Sequence, residues 1–326
     1  MEIIGGGKMH VYPSSDEVPH SPGPEENWQE SFVLHFWDAK NHLGAYLRIG
    51  HEPNFNGGEM NQFSNVVSPD GIWHRVEATP KKPGDVFQNG ISGKDGAIRY
   101  EYDGKNIIWT INEPGVTAKL VVEDFHAAID GYPKTGAVSK YAPQHVEVAI
   151  RVTGTITTQG NTYQVDGMGI RDHGWGIRTW NSMVSHRWTV GVFDKDNSFC
   201  ALTIHTTDDY IAKFGWVVRG DKVIYADKVD ILTYMEADGV TNRGGVTRMN
   251  LSTGEIFEVK IEPVTPCVTS WIHGTLVMDN FCKITWGDKV GVGDFESNSN
   301  MMRGGHRPAK YDAGTIDANG WHPAVK

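Results

Sequence analysis

The chain has 326 residues, of which 39% are hydrophobic and 21% are charged, and its formal net charge is −10. This length is typical of two domains of ordinary size, and the acidic balance argues against a nucleic-acid-binding protein, which normally carries a basic surface. No run of about 18 apolar residues occurs, so no membrane span is expected.

The N-terminus and the cysteines bear on the compartment. Residues 1–10 lack a basic segment followed by an apolar one, so we expect no secretory signal. The three cysteines, Cys200, Cys267 and Cys282, are odd in number and widely spaced. That pattern is typical of reduced thiols buried as small apolar side chains, and not of a disulfide framework. We therefore expect a cytoplasmic protein.

In chain order, residues 1–27 are predicted to form an extended N-terminal arm, because residues 11–27 are rich in proline and polar side chains. From residue 28 onwards, short β-like runs are separated by turn residues, and residues 145–152 show the clearest apolar–polar alternation of a half-buried strand. No segment keeps a helical period over three turns. The sequence predicts an all-β protein whose short antiparallel strands form sandwiches or closed barrels.

A faint internal repeat favours two barrels. Residues 32–38, Phe-Val-Leu-His-Phe-Trp-Asp, precede Asn41, and residues 188–194, Trp-Thr-Val-Gly-Val-Phe-Asp, precede Asn197 at an offset of 156. Any two β-hairpins can look alike, but this offset is close to half the chain, as a duplication requires. We predict an N-terminal barrel over residues 28–160 and a C-terminal barrel over residues 161–326.

The candidate chemistry is concentrated near the midpoint of the chain, in residues 167–178, Gly-Met-Gly-Ile-Arg-Asp-His-Gly-Trp-Gly-Ile-Arg. Four glycines space out an acid, an imidazole, an indole and two guanidinium groups. Glycine is used where the backbone needs positive φ or a close approach, so we expect a backbone bent to present these side chains. The alternative is a charged turn in which Asp172 only neutralises Arg171 or Arg178.

Asp172 and His173 are the candidate catalytic pair, although consecutive side chains on a regular strand point to opposite faces. In an apolar cavity, desolvation would raise the pKa of Asp172 and make it a proton donor near neutrality. If Asp172 instead pairs with Arg171 or Arg178, it stays ionised and only orients its neighbours. Both alternatives are compatible with the sequence.

Other candidate residues lie outside this pair. Glu296 ends the segment Gly-Val-Gly-Asp-Phe-Glu of residues 291–296 and is either a second catalytic carboxylate or a solvated strand-end charge. Residues 48–54 form a similar polar strand end, which we interpret as mainly structural. The substrate-binding candidates are two arginines and four tryptophans, whose indole faces stabilise a carbocation unless they are only core aromatics. They are Arg171, Arg178, Trp175, Trp180, Trp188 and Trp216.

Several motifs are missing from the sequence. There is no phosphate-binding or dinucleotide-binding glycine loop, no Gly-x-Ser-x-Gly elbow and no His-Glu-x-x-His or His-x-His spacing. We therefore expect neither a cofactor nor a metal, although a metal site assembled from distant residues such as His173, His186 and His205 stays open.

Residues 171–176, Arg-Asp-His-Gly-Trp-Gly, resemble the Asp-His-x-Trp-Gly signature of the carotenoid 1,2-hydratase (hydroxyneurosporene synthase)-like family, which includes lipocalin-like Diels–Alderases. Residues 27–31, 44–49 and 291–296 are similar to its uncharacterised bacterial branch. The resemblance implies two calycin (lipocalin)-like β-barrel domains, a hydrophobic ligand cavity, and cofactor-free hydration, dehydration or cyclisation of terpenoid or polyketide-like substrates. It also implies Asp172 as the candidate acid.

Together these observations predict a cofactor-independent lyase that acts on a small hydrophobic molecule of terpenoid or phenylpropanoid type. Asp172 would deliver or remove a proton, His173 or an arginine would set its pKa or hold a substrate oxygen, and Glu296 would handle water. The alternative is a non-catalytic carrier of a hydrophobic ligand, in which Asp172 is an internal brace.

Overall fold

In a computed structural model, residues 1–5, 9–131, 143–239, 241–303, 315–316 and 318–324 are described. These residues form strands and short 3₁₀ turns, with no α-helix among them, and within these ranges no helix is long and apolar enough to cross a membrane. The strands in chain order are β1 (Glu2–Ile4), β2 (Trp28–Asp38), β3 (Leu43–Glu52), β4 (Glu59–Ser68), β5 (Gly71–Pro80), β6 (Val86–Phe87), β7 (Gly90–Ser92), β8 (Ile98–Tyr102), β9 (Ile107–Glu113), β10 (Val116–Asp124), β11 (Ile129–Asp130), β12 (Gln144–Thr158), β13 (Asn161–Ile177), β14 (Met183–Asp194), β15 (Asn197–Thr206), β16 (Ile211–Arg219), β17 (Lys222–Met235), β18 (Asn242–Leu251), β19 (Ile256–Pro263), β20 (Cys267–Ile272), β21 (Thr275–Asp279), β22 (Phe281–Trp286), β23 (Lys289–Asn300), β24 (Thr315–Ile316) and β25 (Gly320–His322). The 3₁₀ turns are Ser14–Glu17, Phe55–Gly57, Lys94–Gly96, Trp180–Ser182 and Met301–Arg303.

The chain divides into two compact units. The N-terminal unit comprises Val11–Asp130, Ala142–Arg178 and Ala318–Lys326, and the C-terminal unit comprises Met1–His10, Gly131–Tyr141 and Thr179–Asp317. The predicted domain limits are corrected by this division. The predicted arm is split between the units, because β1 pairs with β17 whereas the chain from Val11 onwards joins the N-terminal unit. The predicted boundary at residue 160 falls in the β12–β13 hairpin, so the central motif belongs to the N-terminal unit.

Within its described residues, the C-terminal unit is built on a closed antiparallel barrel of eight strands. The strands β14 to β19 pair in order, β22 and β23 follow, and β23 pairs back with β14. Alternate residues of each strand point inwards, so the interior holds Phe199, Phe257 and Phe295, all fully buried. Burial of each such ring contributes roughly 1.5–3 kcal/mol to the hydrophobic driving force.

The N-terminal unit is a curled sheet whose described strands follow the order β25-β5-β4-β3-β2-β13-β12-β10-β9-β8-β7-β6. Its inner face packs an apolar core that includes Phe32 and Leu34 of β2 and Trp109 of β9. Inward residues of β12, such as Val148 and Ile150, follow the alternation predicted for residues 145–152. The predicted class of two calycin-like β-barrel domains is therefore confirmed, with one barrel closed and the other sheet curled and open among the described strands.

The internal repeat is visible at the first hairpin of each unit. In the β2–β3 hairpin, Asp38 accepts hydrogen bonds from the backbone N–H and the Nδ2 of Asn41, at 3.1 and 2.8 Å. In the β14–β15 hairpin, Asp194 accepts a bond from Nδ2 of Asn197 at 2.7 Å. The same Asp–Asn pairing thus closes both turns. All three cysteines are free and buried, as the sequence predicts.

Candidate functional site

The central motif lies on β13, a strand of 17 residues that pairs without interruption with β12 on one side and with β2 over residues 168–177 on the other. The pairing with β12 ends at Trp175, and the backbone takes a positive φ of 105° at Gly176, as expected for one of the motif glycines. Two other glycines permit close packing: a Cβ on Gly169 would lie 2.0 Å from the backbone oxygen of His35, and one on Gly174 would lie 2.8 Å from Nδ1 of His145. Consecutive side chains of β13 consequently face opposite sides of the sheet.

Asp172 projects from the face opposite the apolar core of the N-terminal unit, where it meets two residues of β12. Its Oδ2 lies 2.8 Å from Nε2 of His145, and Oε1 of Glu147 lies 3.3 Å from the same nitrogen. Glu147 is the cross-strand neighbour of Asp172 and is fully buried, while the Asp172 side chain is 14% exposed. We call these three residues the Asp172 cluster.

The neighbouring charges fix the state of the Asp172 cluster. Nη1 of Arg178 lies 3.3 Å from Nδ1 of His145. Because a guanidinium can only donate, this Nδ1 accepts, and the Nε2–H of the ring donates to Asp172. Burial alone would raise the pKa of Asp172, but His145, Arg178 and Arg48 outweigh burial and hold that pKa below its usual value. The carboxylate is therefore ionised, and the prediction of a raised pKa in an apolar cavity does not apply.

Arg48 of β3 is the second buried cation on this face. It lies in line with Asp172 across β2, through the pairs Asp172–Val33 and Val33–Arg48. Its Nη1 donates to Oδ1 of Asn61, whereas its buried Nη2 has no hydrogen-bond partner among the described residues. Oδ1 of Asp172 likewise has no hydrogen-bond partner in the described part of the chain. One acceptor and one donor on this face thus have no hydrogen-bond partner among the described residues.

His173 projects from the opposite face, into the interior of the N-terminal unit. Its Nε2 lies 3.0 Å from Oε1 of Glu30, and Nδ1 of His20 lies 2.8 Å from the same oxygen. The His173 ring stacks on Phe32 at 4.0 Å, and the His20 ring stacks on Trp175 at 4.0 Å. Burial alone would raise the pKa of Glu30, but the two imidazoles lower it. We call His20, Glu30 and His173 the Glu30 cluster.

Arg171, on the same inner face as His173, is fully engaged by carboxylates. It donates two hydrogen bonds to Glu17, at 3.0 and 2.7 Å, and two to Asp124, at 2.7 and 2.6 Å. Burial alone would lower the pKa of Arg171, but these carboxylates raise it. The arginine therefore joins the chain segment that carries Glu17 to the sheet, which favours a structural role over the predicted substrate contact.

The remaining predicted residues belong to the C-terminal unit. Glu296 on β23 lies 3.0 Å from Nδ1 of His186 and accepts a bond of 2.8 Å from Asn298. Trp188 is its cross-strand neighbour, and Trp216 shares that face, which is opposite the barrel interior. All three predicted tryptophans of this unit are buried: Trp180, Trp188 and Trp216.

The structure thus brings Asp172 together with Arg178 and separates both from His173 and Trp175, which lie on the other face of the sheet. A cation at Asp172 is accordingly not shielded by the Trp175 ring, contrary to the prediction. Sequence reasoning missed His145, Glu147, Glu30 and His20. The only local signal for the first two was their alternation in the strand predicted over residues 145–152.

Comparison with known proteins supports the fold. No curated protein matches the chain significantly. Similar solved structures include a putative ATTH from Nitrosomonas europaea, with a TM-score of 0.64, 13% identity and coverage of 92% of this chain and 99% of that chain. CghA with Sch210972 gives a TM-score of 0.62 at 10% identity, covering 86% of this chain and 90% of that one. Kievitone hydratase from Nectria haematococca gives 0.59 at 11%, covering 89% and 93%.

At these identities the likeness shows a shared fold and leaves the chemistry to be argued from the site. A protein-family model described as "Domain of unknown function (DUF7064)" matches residues 13–301 of the sequence. That span includes the Asp172 cluster, the Glu30 cluster and Glu296. Because this match covers most of the chain, the chain belongs to the DUF7064 family.

Proposed function

We propose that this protein is a cofactor-independent lyase that adds water to, or removes water from, a small hydrophobic molecule at the Asp172 cluster. The observation that carries the proposal is the arrangement of Asp172 and Arg48. One carboxylate oxygen is held by His145, and the other has no hydrogen-bond partner among the described residues, as is also true of the buried Nη2 of Arg48. A base and a donor for oxygen are what an elimination of water requires.

In the dehydration direction, Oδ1 of Asp172 accepts a proton from the carbon next to the one that bears the hydroxyl. The C–H and C–O bonds break, a C=C bond forms, and the proton passes to the departing hydroxyl to give water. Arg48 holds the oxygen on which negative charge develops. Hydration runs through the same steps in reverse. His145 is a positioning residue, because its hydrogen bond fixes the orientation of the carboxylate.

The substrate class rests on analogy. Kievitone hydratase and CghA share this fold, which supports a lyase and also a cyclase that uses the same face. A terpenoid or phenylpropanoid-like substrate stays a prediction. The specific resemblance to carotenoid 1,2-hydratases stays a prediction, as does Glu296 as a residue that handles water. The three free, buried cysteines support a reducing compartment such as the cytoplasm.

The test is incubation of the protein with a mixed library of terpenoids and phenylpropanoids in ¹⁸O-labelled water, followed by mass spectrometry. Three proteins are compared: wild type, Asp172→Asn, and Asp166→Asn as the matched control. Asp166 lies on the same strand, but its side chain is 64% exposed and pairs with Arg151. We expect labelled or dehydrated product from wild type and the control, and a loss of about 10²–10⁴ in rate for Asp172→Asn.

Three outcomes would contradict parts of the proposal. Full activity of Asp172→Asn would exclude Asp172 as the base. An unlabelled isomer of the substrate would replace the hydro-lyase by a cyclase or isomerase. A hydrophobic compound that co-purifies unchanged, with no turnover of the library by wild type, would identify a carrier.

A further inference from the structure

The Glu30 cluster gathers three metal-binding groups from three separate parts of the N-terminal unit. His20 precedes the sheet, Glu30 lies on β2 and His173 on β13. One ligand atom from each of His20, Glu30 and His173 lies within 4.8 Å of the other two. Two imidazoles and one carboxylate form the ligand set typical of zinc and other first-row divalent cations that keep a position open.

The distances are close to those of a coordination shell. Both nitrogens contact the same oxygen, at 2.8 Å for His20 and 3.0 Å for His173. Ligand bonds to Zn²⁺ are about 2.0–2.2 Å long, so two ligands at a tetrahedral angle lie roughly 3.3 Å apart. Separating each nitrogen from the oxygen by a few tenths of an ångström is enough to admit the ion. The His20 side chain is 23% exposed, which leaves it room to adjust.

The charge at the site favours a cation. Glu30 is fully buried, and its carboxylate contacts the imidazoles of His173 and His20, which are charged only if protonated. A buried carboxylate without a fixed positive partner is costly. Arg171, a buried cation on the same face, already bonds both Glu17 and Asp124. A divalent ion between the two imidazoles would supply the missing charge.

The ligands are also oriented in advance. The two rings are fixed by stacking, His20 on Trp175 at an interplanar angle of 11° and His173 on Phe32 at 21°. The backbone N–H of His20 lies 3.1 Å from each oxygen of Glu30 and sets the direction of the carboxylate. Outer hydrogen bonds to ligating groups are how metal sites hold their ligands in position.

We propose that His20, Glu30 and His173 bind a Zn²⁺-type divalent cation that fastens the chain segment around His20 to strands β2 and β13. This binding does not depend on the proposed lyase activity, because the Asp172 cluster lies on the other face of the sheet. The expectation of no metal from sequence spacing is revised accordingly, since the three ligands are separated by 10 and 143 residues.

The test uses full-length protein treated with a chelator and then equilibrated with Zn²⁺. We expect one Zn²⁺ per chain after gel filtration, measured by elemental analysis, together with a rise in Tm. We also expect slower amide hydrogen exchange in residues 11–20 when Zn²⁺ is bound. The first variant is His20→Gln, which should fold because His20 is partly exposed, and it should lower Zn²⁺ affinity by at least about 100-fold, beyond the effect of losing an outer partner.

His145→Gln is the matched control, because His145 also stands in a histidine–carboxylate cluster that could ligate an ion. It should retain the bound Zn²⁺. Three results would overturn the proposal: wild type that retains no Zn²⁺, loss of Zn²⁺ from His145→Gln but not from His20→Gln, or Zn²⁺ binding that leaves exchange in residues 11–20 unchanged.

Discussion

Asp172 and His173 are consecutive residues of β13 whose side chains bind partners on opposite faces of one sheet. Asp172 Oδ2 lies 2.8 Å from His145 Nε2, whereas His173 Nε2 lies 3.0 Å from Glu30 Oε1. Because β13 pairs in register with both neighbouring strands, a slip by one residue would exchange the two sets of side chains. The two clusters are therefore separate, and a substitution can test one face at a time.

We expect Gly174→Ala to impair the Asp172 cluster with little loss of stability. Its Cβ would lie 2.8 Å from Nδ1 of His145, so the imidazole must move and its bond to Asp172 must change. A displacement of this kind lowers kcat by about 10²-fold. Gly169→Ala is the comparison, since its Cβ would meet the backbone oxygen of His35 at 2.0 Å and should destabilise the sheet itself. Urea unfolding and product formation separate the two effects, and equal losses of stability would refute the distinction.

Arg171→Ala should destabilise the N-terminal unit by about 3–5 kcal/mol, because it leaves the buried carboxylate of Glu17 and that of Asp124 without their cation. Chemical denaturation measures this loss. Arg151→Ala is a suitable control, since the Arg151–Asp166 pair is largely exposed and its removal should change the free energy of unfolding very little. Similar losses in the two variants would mean that Arg171 does not hold its part of the chain.

Acidification should destabilise the fold through buried histidines. Burial lowers the pKa of His35 to about 3 and those of His74 and His126 to about 4. The pKa of a histidine in the unfolded chain is about 6.5. Above that pH these residues are neutral in the folded and the unfolded chain, so they do not change the free energy of unfolding. As the pH falls from about 6.5 to 4, the unfolded chain takes up protons that the folded chain excludes, so the free energy of unfolding falls.

Urea unfolding at pH 7, 6 and 5 measures this decrease, to which each unit of pKa difference contributes about 1.4 kcal/mol. A His74→Gln variant, which cannot take up the proton, should lose less stability over the same interval. Stability that stays constant or rises on acidification would contradict the prediction.

Asp294→Asn should stabilise the C-terminal unit at pH 8–9. Burial and the charge of Glu296 raise the pKa of Asp294 to about 8, while its carboxyl accepts the backbone N–H of Asn280 at 3.0 Å. Between the unfolded value of about 3.9 and this folded value, stability falls with pH because the unfolded chain releases the proton first. Asparagine keeps the acceptor and removes the titration.

The gain in free energy of unfolding for Asp294→Asn is expected to be on the order of a few kcal/mol at pH 9 and to vanish near pH 4. Asp194→Asn is the contrasting variant, because Asp194 is partly exposed and its pKa is lowered, so its loss should destabilise at neutral pH. Thermal unfolding at both pH values decides the matter, and a loss of stability for Asp294→Asn at pH 9 would contradict the argument.

The elements that sequence predicted well are those governed by local pattern. The alternation of residues 145–152 identified a strand, and the Asp38–Asn41 and Asp194–Asn197 turns marked the repeat, because each depends on neighbours in the chain. The domain boundary was misplaced because the turn at residue 160 has the same composition whether it joins two strands of one hairpin or two units. Only the pairing of β13 with β2 distinguishes the two cases.

The candidate site was predicted in part. Asp172 was identified from its motif, but Arg48 reaches the same face only through the register of three neighbouring strands. His20 and Glu30 meet His173 through contacts that span 143 residues or more. Such contacts follow from tertiary register, which a single sequence does not encode in any local spacing. Of the four motif glycines, Gly176 has the expected positive φ, whereas the close packing of Gly169 against His35 and of Gly174 against His145 is visible only once the strands are paired.

Any molecule that enters the interior of the N-terminal unit would meet the segment from Val11 to His20. The backbone N–H of Tyr12 donates to the carbonyl of Ala128 at 2.9 Å, and the hydroxyl of Tyr100 donates to the carbonyl of Glu17 at 2.7 Å. Arg171 also pairs with the carboxylate of Glu17. Because this segment is covalently tethered beside its own binding face, it competes as an intramolecular ligand at an effective concentration on the order of millimolar. A molecule that entered this interior would have to displace the segment together with its contacts to Ala128, Tyr100 and Arg171.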